Sequence, residues 1–373
     1  MGKLLKGLFS RSGEGTTERL LQYSTLYFML YVVTGYLAKY FEKVLGMGGN
    51  TYTVYNTIGG LFICNAVVLV WGWYKFKSSD YTKLLGVRMP REFLYIIPSG
   101  ICTAVIIPTT TLMYVLPISV MVAMIIMRAS VIIISRIIDT IQIAQGILHK
   151  KVYWEENVAV VFALAAVFIK FYFVHASDFD FLHNVAAMTI LGSYLGAYTI
   201  RIYIFNYYKN TRKKDAIYDT NGYFAVEQIT SSLAIIIAGA ILFFSVNLST
   251  AAPSSFGFQF KDSLVHIPAH WGAAIMSGLP FGISAFFSVF LFMFKGRTAT
   301  FAGLVNRLTS LMAGTASTLF VWWLIAGQKP PKGDDWLALA AILIAIFFMG
   351  KGERKRAAEL ALNRELEAAP AKA

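Results

Sequence analysis

Apolar runs of near-membrane length follow one another along the whole chain, separated by short polar joints. The runs fall at 21–41, 54–74, 93–113, 117–138, 157–175, 185–207, 222–246, 271–294, 299–325 and 336–350. A helix crossing the bilayer core needs roughly 20 mainly apolar residues, so the pattern predicts an all-α membrane protein with ten transmembrane helices. The last run is short and also fits a re-entrant segment, but "KGDD" before it and "KGERKR" after it favour a full span. The expected organisation is a cytoplasmic amphipathic lead-in over 1–20, five helices within 21–175, five within 185–350, and a cytoplasmic basic tail over 351–373.

Charge then orients the spans. With both ends on one side, the N-terminus, the tail and the loops at 75–92, 139–156, 208–221 and 295–298 hold 23 of the 33 Lys and Arg, against four in the opposite loops. Cytoplasmic loops keep such an excess, so both termini are expected in the cytoplasm. The net charge of +13 is then explained by topology and anionic lipid headgroups, with no nucleic-acid partner. Overall composition agrees: 57% of residues are hydrophobic and 14% charged, where soluble domains carry about a quarter charged. No cleavable signal peptide is evident, and Lys6 stands where a myristoylation signal wants Ser or Thr. Cys64 and Cys102 fall within spans and read as small core residues.

Ten spans invite a search for a repeat of five. "PSGICTA" around Ser99 faces "SGLPFGI" around Ser277, "MRAS" with Arg128 faces "NRLT" with Arg307 and Thr309, and "ALAA" at 163 recurs at 338; the offsets are 178, 179 and 175 residues. Because five is odd, the second unit enters the membrane from the opposite side, which predicts two inverted five-helix repeats. An arginine at mid-membrane costs about 2.5–3.5 kcal/mol and normally faces a bundle interior or aqueous cavity. Here the cost recurs at matched positions, and two guanidiniums meeting at a repeat interface would form a fork for a phosphate or carboxylate. A small-molecule anionic substrate is expected, with Ser135 on the same helix face as Arg128, and Asp139 placed to neutralise Arg136. The alternative is that Arg128 and Arg307 each pair with a buried acid, for which Glu227 is the candidate at depth.

"GLVNR" at Gly303–Arg307 resembles the Gly-Ala-Leu-Asn-Lys signature in the ninth helix of the nucleotide-sugar and triose-phosphate translocator branch of the drug/metabolite transporter superfamily, a set of EamA-like ten-helix transporters. Gly303, Asn306 and the cationic Arg307 match, whereas Leu304 and Val305 depart. The resemblance implies a central cavity, alternating access and antiport of a phosphorylated metabolite such as a sugar phosphate or nucleotide sugar, with Gly303, Asn306 and Arg307 at the substrate. Span 7 reads "NGYFAVEQITSS" where nucleotide-sugar members carry Phe-Tyr-Asn-Asn, so nucleotide recognition stays open.

Further candidates are Tyr55, Asn56, Asn65, Tyr194 and Tyr198 for a sugar or base pocket, and Glu227 for a coupling proton or a salt bridge to Arg201. Lys39 and Arg201 are candidate gates, or alternatively snorkel to headgroups. Pro98, Pro108 and Pro280, with Gly100 and Gly278, mark places where helices could bend. An enzyme would want a catalytic cluster near water; "HASDFD" (His175, Asp178, Asp180) and "HIPAH" (His266, His270) lack the Glu of a helical zinc site, so neither a catalytic residue, a metal nor a cofactor is expected. "GMGGN" at 46–50 reads as a flexible joint. An exporter of amino acids or amphipathic drugs is the competing function, disfavoured by the paired arginines. A bacterial inner membrane is preferred over a Golgi-type one, although "NLS" at 247–249 is a formal glycosylation sequon. A homodimer stays open, and the tail is read as contributing topology only.

Overall fold

The computed structural model describes residues 13, 15–84, 86–115, 120–148, 152–173, 185–211, 217–327 and 330–368. His175, Asp178, Asp180 and most of the lead-in lie outside them. In chain order the described elements are α1 (Thr17–Lys43), α2 (Gly49–Val70), a hairpin of β1 (Tyr81–Leu84) and β2 (Val87–Pro90), α3 (Phe93–Val115), α4 (Val120–Ala144), α5 (Trp154–Tyr172), α6 (Val185–Asn210), α7 (Thr220–Ser245), α8 (Phe256–Val265), α9 (Trp271–Phe292), α10 (Ala299–Leu324) and α11 (Gly333–Ala368). The described residues are mostly helical. Among the described residues, α2, α3, α7, α9 and α11 are long and apolar enough to cross a membrane; the chain is a membrane protein.

Local chemistry sets the helix ends. Thr16, Asp219, Ser255 and Thr298 cap α1, α7, α8 and α10, each side chain accepting from a backbone N–H three residues on, which relieves donors that have no intrahelical partner. Pro98 and Pro108 lie inside α3 and Pro280 inside α9, and both helices run on through them. The hairpin was not expected from the sequence. Its turn closes at Gly86, whose φ of 82° is costly for a residue with a side chain.

Helix α9 packs on α2 and α1, α3 on α6 and α7, α5 on α11, and α10 on α1 and α4. The α2–α9 contact is a close backbone approach. A β-carbon on Gly59 would overlap the Ile275 carbonyl, and one on Gly278 would overlap the Asn56 carbonyl, the small-residue geometry through which membrane helices pack without a hydrophobic driving force. Gly278→Ala is therefore expected to destabilise the protein by about 1–3 kcal/mol. Gly350→Ala, in open space on α11, should be neutral or slightly stabilising, and thermal unfolding of the two variants checks the contrast.

Hydrogen bonds tie the connecting segments together in two groups. At one end Lys77 meets Asp219, Lys209 reaches the carbonyls of Phe292 and Arg297, and Thr17 meets Glu353. At the other, Asn50 donates to Gln259 and Tyr55 to the Ser263 carbonyl. The last apolar run, whose flanks favour a full span, lies within α11, one helix of 36 residues, about 54 Å long. One expectation is corrected here: the polar half of α11 does more than set topology, since it docks back onto α5 and the start of α10 through Glu353, Lys355 and Arg356.

Candidate functional site

Helices α4 and α10 lie antiparallel in a register that holds from Arg128 to Asp139 of α4: Asp139 accepts from the backbone N–H groups of Ala299 and Thr300, Ser135 abuts Gly303, and Arg128 donates from Nη1 to the Ser310 hydroxyl at 2.9 Å. In that register Arg307 sits level with Val131. The two arginines are thus three residues apart along adjacent helices, about 4.5 Å in rise.

Each guanidinium faces a tyrosine ring. That of Arg128 lies 5.8 Å from the Tyr31 centroid and that of Arg307 lies 5.0 Å from the Tyr198 centroid. Tyr27 packs against Tyr31 at 5.5 Å and Tyr194 against Tyr198 at 4.8 Å. Tyr27, Tyr194 and Tyr198 are within electrostatic reach of Arg307, and Tyr27 is within reach of both arginines. Cation–π contact offsets part of the cost of burying a guanidinium, but not its charge. Arg128 is 4% exposed. Among the described residues no carboxylate pairs with either arginine, and the buried Nε of Arg307 has no hydrogen-bond partner.

Glu227 does not serve that purpose, because it is committed elsewhere. Arg201 grips it through Nε at 2.9 Å and Nη2 at 3.1 Å, and Ser99 and Thr103 donate to the same carboxylate. The acid is thereby surrounded by donors to its charged form.

Several other candidates lie apart from the arginines. Tyr55 is tied to the Ser263 carbonyl at the basic-poor end, and Asn56 joins a separate cluster, donating to Tyr52 at 3.1 Å and Ser277 at 3.2 Å. Asn65 donates to Ser232. Ser135 and Gly303 are a packing contact in which glycine admits the facing hydroxyl. Thr309, two residues from Arg307, points about 200° round the helix from it. Asn306 is buried and donates to Ser288 on α9 at 2.8 Å. Lys39 is exposed and pairs with Glu42 at 2.7 Å, so it does not match the buried Arg201 as a gate. Burial pushes the Glu42 carboxyl up, but hydrogen bonds from Lys39 and Lys43 outweigh this and hold it below the usual carboxylate range. Asp139 does not neutralise Arg136; it caps α10.

Tyr27 and Tyr31 were missed in the sequence. Their signal is a Tyr-x-x-x-Tyr spacing on α1 that recurs on α6 as Tyr194 and Tyr198, lost among 20 Tyr and 29 Phe. The molecule also has a groove of about 230 Å³ bounded by Cys64, Trp71, Trp73 and Phe286. Its lining is apolar and offers nothing to an anion.

No family model matches the chain, and no curated protein matches it. A solved structure described only as "Crystal structure of protein" aligns with a TM-score of 0.52 over 88% of this chain and 98% of that one, at 13% identity. That likeness shows a shared fold alone.

Proposed function

We propose that the chain is a ten-span secondary transporter that carries a small phosphorylated anion across a membrane by alternating access. The observation that carries this reading is the pair of guanidiniums on facing helices, bordered by four tyrosines and with no carboxylate partner among the described residues. Two fixed positive charges in a medium of low dielectric favour a dianion over a monoanion or a neutral compound. A phosphate monoester supplies that charge, and its oxygens accept in the planar geometry arginine offers. Tyrosine rings and hydroxyls would meet a sugar body.

An inverted repeat of five helices is part of the proposal, and paired contacts support it. Ser99 on α3 meets Glu227 on α7, while Ser277 on α9 meets Asn56 on α2. Gly100 abuts α7 at Thr230, and Gly278 abuts α2 at Asn56. Arg128 faces a tyrosine of α1, and Arg307 faces one of α6. Each member of a pair is related to the other by the same shift of five spans. The α4–α10 register is symmetric about a point between the two arginines, which supports reading their surroundings as a repeat interface of the kind at which transporters bind substrate. Both ends of the chain then lie in the cytoplasm, in keeping with the basic loops.

A thermal-shift screen of the purified protein tests the reading, using sugar phosphates, triose phosphates, nucleotide sugars, nucleoside monophosphates, amino acids and lipophilic cations. A phosphorylated ligand at 100 times its dissociation constant should stabilise the protein by about 2.7 kcal/mol. Stabilisation by neutral or cationic compounds alone would favour the exporter instead.

A further inference from the structure

The chain leaves α2 through a tight reversal. Gly72 follows the helix with a φ of 65°, a left-handed conformation that glycine adopts at no steric cost, and the Trp73 N–H then returns to the Val68 carbonyl at 3.0 Å. Trp73 is thereby laid flat on Phe286 of α9, with ring centroids 5.5 Å apart and planes within 16°. Trp71 stays 64% exposed and stacks on Trp73 at 6.0 Å. The two tryptophans border the apolar groove of about 230 Å³, whose other walls include Val67 of α2 and Phe287 of α9. Exposed Leu69 and Val70 adjoin it on α2. A slot of this lining beside an apolar surface faces hydrocarbon rather than water. Its volume is below the roughly 300–1,000 Å³ of compact small-molecule pockets, so a thin chain suits it better than a ring system.

The rim of the groove is basic. Beyond Trp73 the sequence reads "YKFKSS", with Lys75 and Lys77 exposed. The Lys77 N–H donates to the Asp219 carboxylate at 3.0 Å. This tie stretches the segment from the end of α2 to the start of α7, where Phe224 also borders the groove. Arg19 comes from α1: its guanidinium lies 4.9 Å from the Tyr23 centroid, and Tyr23 packs on Phe287 at 5.7 Å. Among the described residues no carboxylate pairs with the side chains of Arg19, Lys75 or Lys77. Asp219 is committed to the backbone N–H groups of Lys77 and Gly222, and Asp80 pairs with Arg91 at 3.5 Å. Tryptophans gather at the level of lipid headgroups, which puts the slot at the depth of acyl carbons and the cations at the depth of phosphates.

We propose that this groove and its rim hold one anionic phospholipid, with an acyl chain against Trp73 and Phe286 and the phosphate at Lys75, Lys77 and Arg19. A neutral lipid would fill the slot but leave the three cations unanswered. A second copy of the chain fits poorly, because a two-fold contact on this face would set one basic rim against the other. The proposal needs only a chain that lies in a membrane; it does not rest on the transporter reading.

Native mass spectrometry of the full chain in detergent tests this, after exposure to an equimolar mixture of phosphatidylglycerol and phosphatidylcholine with identical acyl chains. One phosphatidylglycerol per chain should be retained and phosphatidylcholine lost. Lys75→Gln combined with Lys77→Gln should weaken retention about 25-fold, about fivefold for each charge removed near the membrane surface. Val67→Phe, which fills the slot and leaves the rim intact, should displace the lipid. The lysine variant changes only exposed side chains, so it keeps the test decisive whatever Val67→Phe does to folding. Arg128→Gln and Arg307→Gln should retain the lipid as the wild type does, and glycerol phosphate should not displace it, which separates this site from the arginine pair. Equal retention of the two lipids, retention that the lysine changes leave untouched, or loss in the arginine variants alone overturns the proposal. So does a dimer free of phosphatidylglycerol that Val67→Phe converts to monomers, since a second copy would then be the occupant. A chain that holds phosphatidylglycerol but is stabilised by no sugar phosphate leaves the lipid site standing and removes the transporter reading.

Discussion

Arg307→Gln should abolish stabilisation by a phosphorylated ligand while leaving the ligand-free protein at least as stable as the wild type. The wild-type side chain is half-buried with its guanidinium against Tyr198, has no acid partner among the described residues, and keeps a buried, unsatisfied Nε. Burying an unpaired charge is costly, so a neutral side chain of similar reach relieves the free protein. The same change removes one of the two charges that would attract a dianion. A site organised for stability alone would respond in the opposite sense, with Arg307→Gln lowering the melting temperature. Arg128→Gln should likewise lose the ligand, with a smaller gain in the free protein because Arg128 already donates to Ser310. Melting curves with and without sugar phosphate, for both variants, separate the cases.

Glu227→Gln should be the most destabilising single change in the bundle. It leaves Arg201, 8% exposed, without its bidentate carboxylate. Removing one partner of a buried pair costs about 3–5 kcal/mol because the other charge stays behind uncompensated. The double variant Arg201→Met, Glu227→Met should recover most of that loss, since replacing both partners with apolar groups is often neutral. A coupling role for Glu227 would instead leave a stable Glu227→Gln protein with altered pH dependence. Denaturant or thermal unfolding of the single and double variants decides between these outcomes.

The contrast between Glu227 and Arg307 shows where sequence reading stops. Apolar runs predict the helices well because span length and hydropathy are local properties. Arg128 and Arg307 stood out in the sequence because an ionic residue in an apolar run is rare, and the structure brings them to adjacent helices α4 and α10. The salt bridge of Glu227 to Arg201 was legible as one of the readings because α6 and α7 are consecutive in the chain, and the structure forms it; the alternative, Glu227 paired with Arg128 or Arg307, is not what it forms. Tyr27 and Tyr31 were hidden by the abundance of aromatics, and only their position beside the guanidiniums distinguishes them. The tail reads as solvated because Lys, Arg and Glu alternate along it. Its docking appears only when Glu156 and Arg297, some 200 and 56 residues away from their partners, are brought beside it. The short helix α8, at Phe256–Val265, went unread because ten residues are too few for a periodic signal to stand out in an aromatic-rich loop.

The transporter reading is tested most directly in sealed liposomes holding the purified protein and loaded with unlabelled sugar phosphate, by following entry of labelled sugar phosphate from outside. The wild type should exchange label well above protein-free liposomes, Arg128→Gln and Arg307→Gln should fall to the protein-free level, and amino acids should not compete. Uptake by both variants at the wild-type rate, or exchange of neutral and cationic compounds but of no phosphorylated one, would contradict the arginine pair as the site and a phosphorylated anion as the substrate.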